Sequence, residues 1–321
     1  MKPLSKLIMV CLFAGLAFPS AAQNYPSKPV RMVSADAPGS NADTIARLVG
    51  RAFGEVVGQP LVVENRPGAG GMIGSEAVVR AAPDGYTILG VTAYSIVVNP
   101  FLHEKMPYNP DTDLAPIALL GTVPFVVFVR ADGPRTFGEL IERIKANPGK
   151  YNGGVTSPGS LLHLTLESVK RAAGLDLVTV TYKGSVAAAT ALMQGEIELQ
   201  VDTFTPLMPF VKSGKVRALA VSTRERVAIA PDVPTLHELG VTGFDAIGWA
   251  GVFAPSQTPK EVRAILETAF AKAVQDPQVR ERMTALTWEP SGAGAEQLAE
   301  RIRRDRERWG PVVKALGLKV Q

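Results

Sequence analysis

Short apolar runs rich in β-branched residues alternate with longer segments of helical periodicity along almost the whole chain, and this alternation leaves few folds open. The runs lie at residues 30–33, 61–63, 87–91, 117–120, 125–129, 178–180, 199–201, 216–221 and 247–253. Between the first two, Ile45, Leu48, Val49, Ala52, Phe53, Val56 and Val57 recur at spacings of three and four, which sets one apolar stripe on one helix face. Ser40 with Asp43 three residues on has the spelling of a capping box, in which the hydroxyl accepts from the Asp43 N–H and the carboxylate reaches back. Thr136 with Glu139 and Thr258 with Glu261 repeat it, the latter with Pro259 at the first helical position. The helix it opens carries Val262, Ile265, Leu266, Ala269, Phe270, Ala273 and Val274 and stops at Asp276-Pro277; two more are predicted over 278–286 and 295–316. Strands joined to helices by short connections predict an α/β fold of mostly parallel sheets flanked by helices.

The chain is long enough for two such sheets. The apolar stretches 121–129 and 247–253 are the candidate crossings between them, giving one lobe of residues 23–122 plus 251–321 and a second of residues 123–250. Residues 1–22 read as a cleaved signal peptide: Lys2 and Lys6, an apolar core over 7–18, then Ser20-Ala21-Ala22 at the cleavage site. That core is shorter than the ~20 residues needed to span a bilayer, so a soluble protein outside the cytoplasm is expected. Cys11, the single cysteine, falls inside this segment, so the processed chain has no disulfide or thiolate metal site to lean on.

The sequence offers little for catalysis. His103, His163 and His237 are scattered and in no metal-ligand spacing, so no metal and no cofactor are expected. Val155-Thr156-Ser157-Pro158-Gly159 departs from a nucleophile elbow, because Val155 stands where the first glycine is required and Pro158 removes an oxyanion N–H. Gly68-Ala69-Gly70-Gly71-Met72-Ile73-Gly74 resembles a dinucleotide loop, yet the next strand runs into Thr92-Ala93-Tyr94 with no acidic residue for a ribose. The net charge of +4 is spread out, and the arginine-rich stretch 301–308 is interleaved with acids, unlike a nucleic-acid stripe. What remains is a set of small-residue loops between strand ends and helix starts, at 37–41, 68–74, 92–95, 156–160 and 183–185. One such loop only makes a turn; five in one chain point to a binding cleft, where helix-start N–H groups stabilise a carboxylate.

These residues resemble the Bug-type (tripartite tricarboxylate transporter) family of extracytoplasmic solute receptors. The likeness runs from Tyr25-Pro26-Ser27-Lys28-Pro29 to Trp309-Gly310-Pro311. Its most specific segments are Val63-Glu64-Asn65-Arg66-Pro67-Gly68-Ala69-Gly70-Gly71, Ala82-Pro83-Asp84-Gly85-Tyr86, Tyr182-Lys183-Gly184 and Pro231-Asp232-Val233-Pro234-Thr235. The resemblance implies a two-lobed periplasmic binding protein with a Venus-flytrap hinge between the lobes. It implies a small carboxylate ligand and the large and small membrane subunits of a tripartite transporter as partners, with a monomeric, non-enzymatic receptor. Residues matching the family's ligand positions are Gly39, Ser40 and Asn41; Met72 and Ile73; Thr92, Ala93 and Tyr94; Thr156, Ser157, Gly159, Ser160 and His163; and Asp202 with Thr203. Asp43 is read as a helix cap, while Asp202 suits a ligand contact or a structural role equally.

Two departures from the family pattern matter. Asp36 stands where an aromatic residue commonly covers the ligand, and Ser157-Pro158 replaces the usual Gly-Asn. A carboxylate 4 Å from an anionic ligand repels it by roughly 1–4 kcal/mol, so Asp36 in the cleft would favour a ligand with an amino or hydroxyl donor, or with one charge. The alternative is that Asp36 faces solvent or caps a neighbouring loop. Two other function classes share the cleft: a sensory co-receptor, indistinguishable by sequence, and an enzyme, which would need an acid and a base where the loops offer only Asp36 and Asp202.

Overall fold

A computed structural model describes residues 25–242 and 244–319; the expected signal peptide lies outside the described residues. In chain order the strands are β1 (Val30–Ser34), β2 (Leu61–Asn65), β3 (Thr87–Thr92), β4 (Leu114–Pro124), β5 (Val126–Arg130), β6 (Asn152–Val155), β7 (Val178–Thr181), β8 (Leu199–Asp202), β9 (Val216–Val221), β10 (Ile247–Pro255) and β11 (Glu289–Gly294). They form a six-stranded sheet of order β11-β4-β10-β3-β1-β2 and a five-stranded sheet of order β7-β6-β8-β5-β9, each flanked by helices. The two-lobed α/β architecture is therefore as expected.

Both sheets are mixed, which corrects the expectation of mostly parallel pairing. Parallel neighbours are confined to the triplets β3-β1-β2 and β7-β6-β8, where helical crossovers return the chain in the same direction. β5 follows β4 after a single residue and runs antiparallel to β8 and β9. β10 brings the chain back from the second sheet and inserts, antiparallel, between β3 and β4.

The helical stripe read from the sequence packs as its spacing requires. In the helix Asn41–Val57, Ile45, Val49, Ala52 and Phe53 are buried, while Val56 at the edge of the stripe is exposed. Phe53 meets Phe270 of the helix Lys260–Gln275, ring centroids 4.6 Å apart. Each fully buried aliphatic or aromatic side chain contributes roughly 1.5–3 kcal/mol. Ser40 caps the first helix by accepting from the Asp43 N–H at 3.2 Å, but the Asp43 carboxylate reaches one residue further back than a capping box, to the Gly39 N–H at 2.9 Å. The third such spelling is not a box: its helix begins after Pro259 without a side-chain cap, and the Thr258 hydroxyl is buried without a partner among the described residues.

The chain passes between sheets at Phe125 and again between Val221 and Ile247. One buried residue ties the two passages together. The Ser222 hydroxyl accepts from the Phe125 N–H at 3.0 Å and donates to the Ala246 carbonyl. Its backbone N–H donates to the Phe125 carbonyl, and its carbonyl accepts from the Ala246 N–H, both at 2.9 Å. Nearby, the C-terminal helix Ala295–Ala315 carries a buried ionic network. Arg301 grips Asp305 through Nε at 3.0 Å and Nη2 at 2.8 Å, and reaches Asp245 at 3.2 Å. The Trp249 indole donates to Asp305 at 2.8 Å. No helix among the described residues is long and apolar enough to cross a membrane.

Candidate functional site

Each parallel triplet contains a point where the chain reverses its order. From β1 the chain goes to β2 on one side, then returns past β1 to β3; from β6 it goes to β7, then back past β6 to β8. Ligands of open α/β sheets bind beyond the carboxyl ends of the strands at such points. The loops that follow β1, β3, β6 and β8 hold Asp36, Gly39, Ser40, Asn41, Thr92, Ala93, Tyr94, Thr156, Ser157, Gly159, Ser160, Asp202 and Thr203, or their immediate strand ends.

In the first lobe these residues are brought together. Asn65 donates to the Asp36 carbonyl at 3.1 Å and to the Asp43 carboxylate at 2.7 Å, and Arg47 bonds both Asp43 and Asn65. Ser95 and Asn99, beyond β3, donate to the Gly70 carbonyl at 2.7 and 3.0 Å. Glycine permits the close fit: Gly71 has φ +89°, and a Cβ there would lie 2.1 Å from the Ser95 hydroxyl. Met72 and Ala93 are buried and Ile73 is exposed, so of these three Ile73 alone presents an extensive side-chain surface.

The second lobe has its own set. The Gly159 N–H donates to His163 Nδ1 at 2.9 Å, and Ser160 caps the His163 N–H at 3.2 Å. His163 thus serves to lock the loop, and burial pulls its pKa below the usual histidine range. Asp202 is 2% exposed; it accepts from the Thr203 N–H at 2.8 Å and from Gln200 at 2.9 Å, and Ser185 also bonds its carboxylate. Burial raises its pKa against these donors. No hydrogen bond among the described residues joins the first set to the second. The lobes themselves meet at Gly159, where a Cβ would lie 3.8 Å from Leu102, and share an apolar cluster that includes Val33, Met72, Leu102, Leu161 and Val201.

Asp36 differs from the other acids. It is half-buried, and its carboxylate makes one long bond, from the Thr92 hydroxyl at 3.4 Å. Burial, with the neighbouring charge of Asp43 adding to it, pushes its pKa up to about 6. For Asp43, burial alone would do the same, but the Gly39 N–H, Asn65 and Arg47 more than offset it and hold the carboxyl below the usual range. The raised value at Asp36 means that its contribution to stability is fully present below its unfolded pKa of 3.8 and is lost as pH rises through about 6. Asp36→Asn is therefore expected to stabilise the ligand-free protein by about 2–3 kcal/mol at pH 8 and to change little at pH 4. Chemical unfolding at the two values checks this; an equal effect at both would mean that Asp36 is solvated.

Sequence reading missed the residues that fasten the loops. Asn65 lay inside a recognised motif without an assigned role, and Ser95, Asn99, Ser185 and Gln200 act through tertiary contacts that no local spacing encodes. Among the described residues there is no group of three or more His, Cys, Asp and Glu able to hold a metal ion.

Comparison with known proteins agrees with this fold. Protein BugT of Bordetella pertussis is 33% identical over 96% of this chain and 95% of its own. The structure of the periplasmic binding protein BugD is 35% identical over 92% of this chain and all of its own, with a TM-score of 0.75. MatC of Rhodopseudomonas palustris, solved with bound malate, is 31% identical over 90% of this chain and all of its own, with a TM-score of 0.73. Residues 45–318 match the family model described as the tripartite tricarboxylate transporter family receptor, and with these full-length relatives on the same two-sheet frame, the chain belongs to that receptor family.

Proposed function

We propose that this chain is a periplasmic receptor that captures a small organic carboxylate between its lobes and delivers it, chemically unchanged, to the membrane subunits of a tripartite transporter. The observation that carries this reading is the pair of switch points, each walled by hydroxyl- and glycine-bearing loops that open helices. The first N–H groups of a helix have no partner within it, and with the helix dipole behind them they stabilise an anion without an arginine. Malate bound to MatC supports the ligand class. The proposed contacts are the residues named above in the loops after β1 to β3 and after β6 and β8. The proposed lobes are residues 23–122 plus 251–321 and residues 123–250, after removal of residues 1–22, with the hinge at Phe125 and Ser222. The receptor acts as a monomer and needs no cofactor.

A screen of small mono- and dicarboxylates by thermal unfolding and calorimetry tests this. A true ligand at 100 times its Kd adds about 2.7 kcal/mol of stability. If none of the carboxylates shifts unfolding, the carboxylate assignment fails. One observation favours an enzyme: the Asp36 carboxyl, at about 6, is poised for proton transfer near neutrality. Mass spectrometry after incubation with a bound ligand separates the readings, since a product formed by the receptor alone would establish catalysis.

A further inference from the structure

Three carboxylates sit in the candidate site, and two of them are already engaged. Asp43 is bonded by Gly39, Asn65 and Arg47. Asp202 accepts from Thr203, Gln200 and Ser185. Both therefore hold loops in place. Asp36 has neither kind of support: among the described residues it forms no ion pair, and its sole side-chain bond is the 3.4 Å contact with Thr92. A partly buried carboxylate without a cation is unfavourable unless a partner arrives.

The neighbouring loop contributes a second uncommitted group. Tyr94, two residues beyond Thr92, lies against Gly70: a Cβ on that glycine would come within 2.9 Å of its ring. Tyr94 is partly buried, and its phenol has no hydrogen-bond partner among the described residues. Burial raises its pKa, so it stays a neutral donor. The switch point between β1 and β3 thus presents an unpaired anion on one loop and an unpaired neutral donor on the next.

We infer that Asp36 is the specificity-determining residue of this receptor, accepting an ammonium group on the ligand while Tyr94 and the helix-start amides hold a carboxylate. The ligand class is an amino-substituted carboxylate, a zwitterion rather than a plain dicarboxylate. This rests on the carboxylate-receptor reading and narrows it. An ammonium at Asp36 replaces the missing counter-ion and forms a charge-assisted hydrogen bond. A second carboxylate at the same place would meet like charge, which costs affinity through electrostatic mismatch.

The test uses pairs of probes that differ by a single α-ammonium: L-aspartate against succinate, and L-alanine against propionate, titrated by calorimetry into the purified receptor at pH 7.5. In at least one pair the amino member is expected to bind ten-fold or more tightly than its partner. Asp36→Asn is expected to erase that ratio by weakening the amino member ten-fold or more while leaving the plain acid unchanged or tighter. The stability of Asp36→Asn, measured in parallel, shows that the variant folds. Three results overturn the inference: the plain acid binds as well as or better than its amino partner, the ratio survives in Asp36→Asn, or none of the four probes binds. All three leave the carboxylate receptor standing, since that reading falls only if the wider carboxylate screen finds no ligand.

Discussion

Replacing Arg301 with methionine is expected to cost about 3–5 kcal/mol of stability, because it strands a carboxylate that has been taken out of water. Asp305 is 2% exposed, and without Arg301 it keeps the hydrogen bond from the indole of Trp249 and the charge of Arg308 nearby. Burial already raises the Asp305 pKa against the pull of Arg301 and Trp249, so removing the arginine raises it further. A carboxyl with a raised folded-state pKa loses its contribution as pH climbs through that value. The deficit of Arg301→Met should therefore grow from pH 5 to pH 8, the direction that the raised pKa of Asp305 sets. Adding Asp305→Asn to that variant should recover part of the loss, since the buried charge is then gone. Urea unfolding of the two variants at both pH values reads all three effects, and a deficit below about 1 kcal/mol at pH 8 would show that the pair is only surface decoration.

Ser222→Ala is expected to cost about 2–4 kcal/mol, since it leaves the buried Phe125 N–H and Ala246 carbonyl each without its hydroxyl partner. The consequence should extend to function, because these bonds join the two passages between the lobes. The backbone bonds of Ser222 to Phe125 and Ala246 remain, so the variant still folds, with a looser hinge. Closure of a hinged receptor draws on ligand-binding energy, and a hinge freed to sample more orientations spends more of it on ordering. Ligand affinity should fall while the contacts in the loops stay intact. Unfolding free energies, together with hydrogen exchange at Phe125, would reveal the change; unaltered protection at that amide would count against the hinge role.

Much of the frame was visible in the residue pattern, and particular elements show why. The 41–57 helix carries an apolar stripe at helical spacing, a serine cap and a glycine at its end, three local signals that agree. β1, β3 and β9 are β-branched runs with turn residues on either side, and each appears where its run lies. The small-residue loops were also legible, because glycine and hydroxyl residues at a strand-to-helix junction have a backbone meaning that does not depend on distant partners.

Where sequence reading stopped, the cause was long-range contact. β6 reads Asn152-Gly153-Gly154-Val155 and gives no strand signal, since glycine weakens strands. Its glycines are required by the packed sheet: a Cβ at Gly154 would come within 2.4 Å of Ile197, and one at Gly153 within 2.9 Å of Leu177. β11, with Pro290, Gly292 and Gly294, has β4 as its one strand partner, in a pairing interrupted between Pro290 and Ala293, so nothing local announces it. The direction of β10 depends on where the returning chain can insert, which no periodicity records.

The same division runs through the site. Local spacing, with glycines and caps at strand-to-helix junctions, determined an α/β chain and placed its small-residue loops between strand ends and helix starts, because backbone conformation is set by neighbours in sequence. The tertiary structure alone decided which carboxylate is free. Asp36, Asp43 and Asp202 look alike in a sequence, and their difference comes from donors up to 56 residues away: Asn65 for Asp43, Gln200 and Ser185 for Asp202, and a single distant Thr92 for Asp36. Charge compensation is a property of three-dimensional neighbourhoods, so which carboxylate is left with a single long bond emerges only when the chain is folded.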